Sequence, residues 1–316
     1  MLKQRGFYKG IDLGGWFSQC DYSEERLDTF ITEADIARIA SWGADHVRLP
    51  PERHCSRMAD GTMKEDGLAR IDRALALCQK HGLHVVLDLH KTAGFSFDSG
   101  EREEGFFESA ALQERFCQLW EVLADRYGHM HKAVAFELLN EITDAAYLDV
   151  WNKLVPVCME RLRKYAPETL VLVGSYWNNS PAALKDLDAP YDDKVAYNIH
   201  CYEPLKFTHQ GAYWTAAIDP AERMSFAESG VTPAYFEKLF ASAMEKAARH
   251  GAALYCGEYG VIDRVSPEDT LAWYRAIHTA FETCGIGRCA WSYKEMDFGI
   301  SDKRLDGVRD ELLKNL

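Results

Sequence analysis

Polar and aromatic side chains stand at the ends of short apolar runs at six separate places along this chain. These residues are Arg48, His90, Asn140 with Glu141, His200 with Tyr202, Glu258, and Trp291. Glutamate, histidine and tyrosine can transfer protons or act as nucleophiles, and arginine pairs with carboxylates. Each residue alone has a structural explanation, such as an ion pair or a hydrogen-bonded core histidine. Because all six runs end in side chains of this kind, one shared site is a better explanation than six separate ones.

The runs that carry these residues alternate with segments of helical periodicity, which is typical of βα units around a parallel sheet. The predicted strands are residues 7–13, 45–49, 84–89, 133–139, 170–174, 195–199, 253–257 and 289–292. Eight is the number of strands that closes a (β/α)8 barrel, and barrel enzymes place their chemistry at the carboxyl ends of the strands. Helix signals agree, because an amphipathic run begins at Thr32 and another ends at Gly82. We therefore predict an α/β fold, a single TIM barrel.

An open doubly wound sheet is the structural competitor. That fold would favour a glycine-rich phosphate turn after the first strand, and Gly14-Gly15-Trp16 lacks the G-x-G-x-x-G spacing. No linker or low-complexity tract divides the chain, so one catalytic domain over residues 1–316 is predicted. Two connections, residues 91–108 and 203–232, are longer than a barrel requires and are expected to wall the site.

Composition narrows the partners. The formal net charge of −13 disfavours a nucleic acid or an anionic membrane surface, and a neutral substrate fits it better. No apolar run is long enough to span a membrane, and the first residues lack a secretory pattern, so a cytoplasmic protein is expected. The nine cysteines form no C-x-x-C pair and are odd in number, which predicts free thiols rather than disulfides.

With these residues in view, the chain resembles family 5 of the glycoside hydrolases, the cellulase and mannanase family of retaining (β/α)8 enzymes. The resemblance runs from the segment Lys9-Gly10-Ile11-Asp12-Leu13-Gly14-Gly15-Trp16 to Trp291. The residues that match the family's active site are Arg48, His90, Asn140, Glu141, His200, Tyr202, Glu258 and Trp291. The opening segment and Asp88-Leu89-His90-Lys91-Thr92-Ala93-Gly94-Phe95 look like the exo-β-1,3-glucanase and endoglycoceramidase members.

The resemblance implies a role for each matching residue. Glu141 is expected to be the acid/base and Glu258 the nucleophile of a double displacement, with their carboxyl groups about 5–5.5 Å apart. An anionic Glu258 is expected to help raise the pKa of Glu141. Arg48 and Tyr202 are expected to hold Glu258 ionised, and Asn140 to bind the sugar 2-hydroxyl. His90 and His200 would orient the sugar and the acid/base.

Aromatic side chains are the expected sugar-stacking surfaces. Trp291 would face the pyranose at the cleaved site, while Trp16, Trp177 and Trp214 are stacking candidates for which core packing is an equal alternative. The implied chemistry needs no metal and no other cofactor, and the H-x-H and H-E-x-x-H spacings of common zinc sites are absent from the sequence.

The expected substrate is a β-linked, gluco-configured oligosaccharide or glucan. A β-mannosidase or mannanase and a glycolipid-directed β-glycosidase are the alternatives within the family. A non-catalytic carbohydrate-binding barrel and a metal-dependent barrel hydrolase are the alternatives from other classes, and the second would lose activity to a chelator. The sequence leaves open the linkage, endo or exo action and the oligomeric state.

Overall fold

Eight parallel strands form a closed barrel in the computed structural model, which describes residues 1–52, 65–98 and 103–316. Each strand pairs with the next along the chain, and the first pairs with the last. The strands are β1 Lys9–Asp12, β2 His46–Leu49, β3 His84–Asp88, β4 Val134–Glu137, β5 Val171–Val173, β6 Val195–Cys201, β7 Leu254–Tyr259 and β8 Gly287–Ala290. All eight predicted strands and the TIM barrel are thereby confirmed.

Helices connect the strands and surround the barrel. In the described residues they are α1 Leu2–Arg5, α2 Glu24–Thr29, α3 Glu33–Ser41, α4 Glu65–Lys80, α5 Ala110–Tyr127, α6 Leu148–Tyr165, α7 Tyr176–Asn179, α8 Leu205–Thr208, α9 Phe226–Ser229, α10 Pro233–His250, α11 Pro267–Cys284 and α12 Arg309–Leu313. Short 3-10 turns lie at Gly128–Met130, Ala145–Tyr147, Leu184–Asp186 and Lys303–Leu305. None of the helices in the described ranges is long and apolar enough to cross a membrane.

Local sequence signals account for the ends of these helices. Thr32 and Asp35 form a reciprocal capping box at the start of α3, as predicted. Thr232 and Ser266 cap α10 and α11, each followed by a proline at the first helical position. The predicted helix 68–81 is α4, which begins three residues earlier.

The barrel interior has an apolar lower part and a polar upper part. Leu2 and Phe7 close the bottom and pack with side chains from the strands, including Val86, Leu172 and Tyr255. One layer nearer the carboxyl ends of the strands, the inward positions form a buried polar layer. Its members, all fully buried, are Asp12, Arg48, Asp88, Glu137 and Asn198. A larger apolar core lies outside the barrel, between the strands and the helices. The polar strand ends therefore lie on a buried polar layer rather than directly on apolar packing.

A bulge in β7 turns Glu258 toward the barrel interior. Tyr255 faces inward, and strict alternation along the strand would turn Glu258 outward. The register with β6 instead pairs Cys256 with Ile199 and Glu258 with His200, so Gly257 is the extra residue. A Cβ at Gly257 would lie 2.7 Å from the Asn198 side chain, which explains why glycine occupies the bulge.

The two long connections lie where they were predicted, although residues 99–102 of the first fall outside the described ranges. The connection 203–232 contains α8 and α9 and carries the exposed residues Tyr213 and Trp214. Eight cysteines are described, and all eight are free thiols, as predicted. Cys55 lies outside the described residues.

Candidate active site

The structure brings the predicted site residues together at the carboxyl ends of the strands. Arg48 lies on β2, His90 follows β3, and Asn140 and Glu141 follow β4. His200 lies near the end of β6 and Glu258 near the end of β7, so these two strands extend farther than predicted. Tyr202 follows β6 and Trp291 follows β8. Hydrogen bonds, ion pairs or ring contacts join all of them into one site.

The guanidinium of Arg48 lies at the centre of the site. Its Nε and Nη2 donate to the two carboxylate oxygens of Glu137, at 2.7 and 2.9 Å. Its Nη1 donates to Asp12 at 3.0 Å and to Glu258 at 2.7 Å. Its Nη2 also donates to Asn140 Oδ1 at 2.7 Å. All five guanidinium N–H groups have acceptors, so Arg48 fixes the directions of the side chains around it.

Burial perturbs the carboxyl groups around Arg48. It raises the pKa of Asp12 well above its usual value and also raises the pKa of Glu137, although the charge of Arg48 opposes both changes. Burial likewise raises the pKa of Asp88, to about 7. Burial lowers the pKa of Arg48 itself, but the charges of the surrounding carboxylates outweigh it and raise that pKa. This layer holds more acidic groups than positive charges.

Glu258 is held between two donors. Its Oε1 accepts from Arg48 Nη1 at 2.7 Å, and its Oε2 accepts from the hydroxyl of Tyr202 at 2.8 Å. The Nδ1 atom of His200 lies 3.7 Å from Oε2. The ring of Tyr202 is supported by edge contacts with His209 and Phe298. Both donors to Glu258 are therefore fixed by their own surroundings.

Glu141 faces Glu258 across the barrel mouth. Its Oε1 accepts from His200 Nδ1 at 2.8 Å, and its Oε2 accepts from Asn178 Nδ2 at 2.9 Å. Its side chain is only 12% exposed. Burial raises its pKa to about 7, and the hydrogen bond from Asn178 opposes that rise. Burial is thus the largest cause of the rise, and the nearby charge that adds to it is that of Asp98. The contribution that the sequence analysis expected from the charge of Glu258 stays a prediction.

His90 is placed by two polar contacts and one stacked ring. Its Nδ1 lies 2.6 Å from Asp88 Oδ2, which also lies 3.0 Å from Arg48 Nη2. Its Nε2 lies 3.3 Å from the side-chain oxygen of Gln19. The ring is parallel to that of Trp291, with the centroids 5.7 Å apart. Burial lowers the pKa of His90 to about 3, so the ring is neutral near neutral pH.

The predicted tryptophans lie in different surroundings. Trp291 borders the site through His90, and Gly14 leaves room for its ring, since a Cβ there would lie 2.7 Å from it. Trp16 is buried, stacks on Phe17 and donates its indole N–H to a backbone carbonyl at 2.9 Å, which favours core packing over sugar stacking. Trp177 is 57% exposed and adjoins Asn178, while Trp214 is 39% exposed.

Several residues of the site were not predicted. Asp12, Asp88, Glu137 and Asn198 form the buried polar layer, and Asn178 and Asn179 reach the rim from the turn after β5. A detectable signal existed for the first group, because each is a polar residue between apolar neighbours within a strand, as in Phe136-Glu137-Leu138. The two asparagines gave no such signal, since their turn has no periodic pattern.

Glu141, His200 and Glu258 also form a group that meets the distance requirement for a metal site. One possible ligand atom from each lies within 4.8 Å of the others. His200 Nδ1 hydrogen-bonds Glu141, and Glu258 hydrogen-bonds Arg48 and Tyr202. These hydrogen bonds account for the spacing of the three residues.

A (β/α)8 barrel with two facing carboxyl groups at the carboxyl ends of its strands has the arrangement of a glycoside hydrolase. The family model described as Cellulase (glycosyl hydrolase family 5) matches residues 10–297. The chain is 57% identical to "Cellodextrinase A" of Ruminococcus flavefaciens, over 91% of this chain and 86% of that protein. It is 36% identical to "Endoglucanase C" of Acetivibrio thermocellus, over 98% of each chain. The chain therefore belongs to glycosyl hydrolase family 5 and is a glycosyl hydrolase.

A solved structure supports the same fold. The cellulose synthase subunit Z from Clostridioides difficile superposes with a TM-score of 0.84 at 25% identity, covering 98% of this chain and 99% of that one. Neither of these two sequence relatives is named as an exo-β-1,3-glucanase or an endoglycoceramidase, the members of the family that the opening segment resembles.

Proposed function

We propose that the protein hydrolyses β-1,4-linked gluco-oligosaccharides with retention of anomeric configuration. The observation that carries the mechanism is the approach of the two glutamates, because a carboxylate oxygen of Glu141 lies within 4.8 Å of one of Glu258. Retaining enzymes hold their carboxyl groups about 5–5.5 Å apart, whereas inverting enzymes leave roughly 6.5–9.5 Å for a water molecule. This close approach of the two nearest oxygens favours the retaining arrangement over the inverting one.

Glu258 is the nucleophile in this proposal. Arg48 and Tyr202 donate to its two oxygens at 2.7 and 2.8 Å, and the two hydrogen bonds hold the carboxyl group in one orientation for attack. The attack forms a glycosyl ester on one oxygen and breaks the bond from the anomeric carbon to the leaving oxygen. Charge then moves from the carboxylate to the departing oxygen, which must be protonated.

Glu141 is the acid and then the base. Its raised pKa, about 7, keeps a substantial fraction protonated near neutral pH, as a proton donor requires. When Glu258 becomes an ester, a negative charge within 4.8 Å disappears, so the affinity of Glu141 for its proton falls. The same carboxylate can then take a proton from the water that hydrolyses the ester.

Asn140 is the proposed contact to the sugar 2-hydroxyl. Its Oδ1 is held by Arg48, whereas its buried Nδ2 has no hydrogen-bond partner within the described parts of the chain. A buried donor without an acceptor costs free energy that a substrate hydroxyl would recover. This contact strengthens as charge develops at the anomeric carbon.

The aromatic residues divide between the two sides of the scissile bond. Trp291, stacked near His90, serves the sugar that becomes attached to Glu258. Trp177 adjoins Asn178, which hydrogen-bonds the proton donor Glu141, so it serves the leaving group. Trp214 lies 6.1 Å from His209, which contacts Tyr202, the donor to Glu258, so these contacts do not connect it to the leaving-group side. Trp16 is left out because its ring and its N–H have partners in the core.

The choice of substrate follows the relatives named cellodextrinase and endoglucanase. It is tested with cello-, laminari- and manno-oligosaccharides of equal length, together with a glycosphingolipid. We expect the largest kcat/KM for the cello series, and proton NMR at early times should show the β-anomer as the first product. Faster cleavage of another series would overturn the substrate, and an α-anomer formed first would overturn retention.

Two further expectations stay predictions. A cytoplasmic location would suit soluble cello-oligosaccharides as substrates. Organisation as one domain over residues 1–316 would suit the continuous βα pattern.

A further inference from the structure

We propose that Asn179 is a positioning residue that selects the tautomer of His200 and thereby directs the catalytic proton to one oxygen of Glu141. The inference rests on the proposed role of Glu141 as acid/base. It starts from a contact outside the set of residues that touch substrate: Asn179 Nδ2 lies 3.3 Å from His200 Nε2. Both side chains are buried.

The tautomer follows from which atoms can donate. An amide NH2 group donates only, so Nε2 of His200 must accept from Asn179, and the ring proton must lie on Nδ1. Nδ1 then donates to Glu141 Oε1, which lies 2.8 Å away. Burial lowers the pKa of His200 to about 4, so the ring is neutral near neutral pH and carries one proton. The position of that proton is therefore set by Asn179.

The position of the ring proton decides which oxygen of Glu141 can act as the acid. With Nδ1–H pointing at Oε1, that oxygen is an acceptor and the carboxyl proton must lie on Oε2. With the opposite tautomer, Nδ1 would accept, and protonated Glu141 would donate from Oε1 into the histidine. The proton would then be held away from the glycosidic oxygen. The observed arrangement leaves it on Oε2, beside Asn178 at the more exposed side of the group.

The surrounding chain makes room for this amide. A Cβ on Gly174 would lie 2.1 Å from Asn179 Oδ1, and a Cβ on Gly257 would lie 3.0 Å from His200 Nε2. Residues 177–179 have φ values of 51°, 54° and 56°, a left-handed turn that asparagine tolerates better than most residues. The turn directs Asn178 to Glu141 and Asn179 to His200, so one segment serves both ends of the contact.

The first experiment measures the orientation of the Asn179 amide, because its Oδ1 has no hydrogen-bond partner among residues 1–52, 65–98 and 103–316. A flipped amide would place Oδ1 against Nε2 and reverse the tautomer. Nitrogen-15 NMR of the folded protein, with His200 assigned by comparison with His200→Asn, reports which ring nitrogen is protonated. We expect a protonated Nδ1 in the wild type and a protonated Nε2 in Asn179→Asp. A protonated Nε2 in the wild type would overturn the proposal, whatever the role of Glu141.

The kinetic test separates proton donation from general damage. In Asn179→Leu and Asn179→Asp, kcat/KM on cellotetraose should fall roughly 10²-fold or more, within the range that general acid catalysis supplies. On a dinitrophenyl β-cellobioside, whose leaving group needs no proton, kcat/KM should stay within roughly threefold of the wild type. Equal losses on both substrates would indicate a merely structural role, and no loss on either would also overturn the proposal.

Two further variants guard against misfolding and against a generic effect. Gly174→Ala displaces the Asn179 amide without removing it and should give the same substrate-dependent loss, in a smaller degree. Asn152→Asp is the matched control, since Asn152 on α6 hydrogen-bonds the backbone at Asp186 and Asp188 and no residue of the site. It should leave both kcat/KM values unchanged. If Glu141→Ala were fully active on cellotetraose, the acid/base assignment would fail while the tautomer measurement would still stand.

Discussion

Replacing Glu141 by glutamine should favour the folded protein more at alkaline pH than at acidic pH. Burial raises the pKa of Glu141 from 4.5 to about 7, so the folded state favours the neutral form. A carboxyl group with a raised pKa contributes its full stability below pH 4.5, and that contribution is lost as pH rises through 7. Glutamine keeps the shape of the neutral form at every pH and escapes this loss.

The size of the effect follows from the pKa. The rise from 4.5 to about 7 corresponds to roughly 3 kcal/mol, because one pKa unit is worth about 1.4 kcal/mol. Glutamine also mismatches one of the two donors, Asn178 or His200, at a cost of about 1–3 kcal/mol, but that cost does not depend on pH. The difference between pH 8 and pH 4 in the effect of the substitution isolates the ionisation and should favour the variant by about 3 kcal/mol.

Urea unfolding of both proteins at the two pH values measures this difference, and calorimetry should show a relative rise in Tm of roughly 4–5 °C for a chain of this length. Glu245→Gln, on an exposed face of α10, makes the same chemical change where both forms stay hydrated, and it should show a much smaller difference. If Glu141→Gln showed no relative gain at pH 8, the carboxyl group would not be destabilised by burial, and the physical reason for its role as proton donor would be lost.

Three other substitutions test individual contacts. Arg48→Lys replaces five directed N–H donors by three on one atom, so at least two buried acceptors lose their hydrogen bonds. The free energy of unfolding should fall by about 3–5 kcal/mol. A loss below about 1 kcal/mol in urea unfolding would contradict the importance of these hydrogen bonds. Tyr202→Phe removes the 2.8 Å donor to Glu258 but keeps the ring contacts, so kcat/KM should fall roughly 10- to 100-fold with Tm nearly unchanged, and an unaltered kcat/KM would refute the role. Trp177→Ala should raise KM for cellotetraose several-fold but not KM for a cellobiosyl fluoride, whereas the exposed-aromatic control Tyr165→Ala should change neither; equal effects on both substrates would place Trp177 elsewhere.

The barrel was predictable from the sequence because its determinants are local. The alternating strand and helix patterns and the helix caps can be recognised from neighbouring residues alone. Strand ends such as Leu139-Asn140-Glu141 likewise show directly which residues lie at the rim. The inward direction of Glu258 was not predictable in this way, because it depends on the extra residue at Gly257 and on a register set by two neighbouring strands.

The buried polar layer and the turn that carries Asn178 and Asn179 show a different limit of prediction from sequence. Asp12, Asp88 and Glu137 form ion pairs with Arg48 only because three different strands bring them to it. The spacing of these residues along the chain does not predict those ion pairs. Trp16 shows the opposite case. The sequence made it a candidate for sugar stacking, but its ring packs on Phe17 and its N–H donates to the carbonyl of Leu27. Asn178 and Asn179 stand in a short turn whose left-handed backbone is visible only in the structure.

The stereochemistry of azide rescue tests the paired roles of Glu141 and Glu258 most directly. In Glu258→Ala, azide should occupy the space of the lost carboxylate and convert an activated β-cellobioside into the α-cellobiosyl azide. In Glu141→Ala, the glycosyl ester should still form from the same substrate and azide should attack it from the opposite face, giving the β-cellobiosyl azide. Opposite anomers assigned in this order are the predicted result; the reverse order would exchange the two roles, and undiminished turnover of either variant without azide would contradict the mechanism.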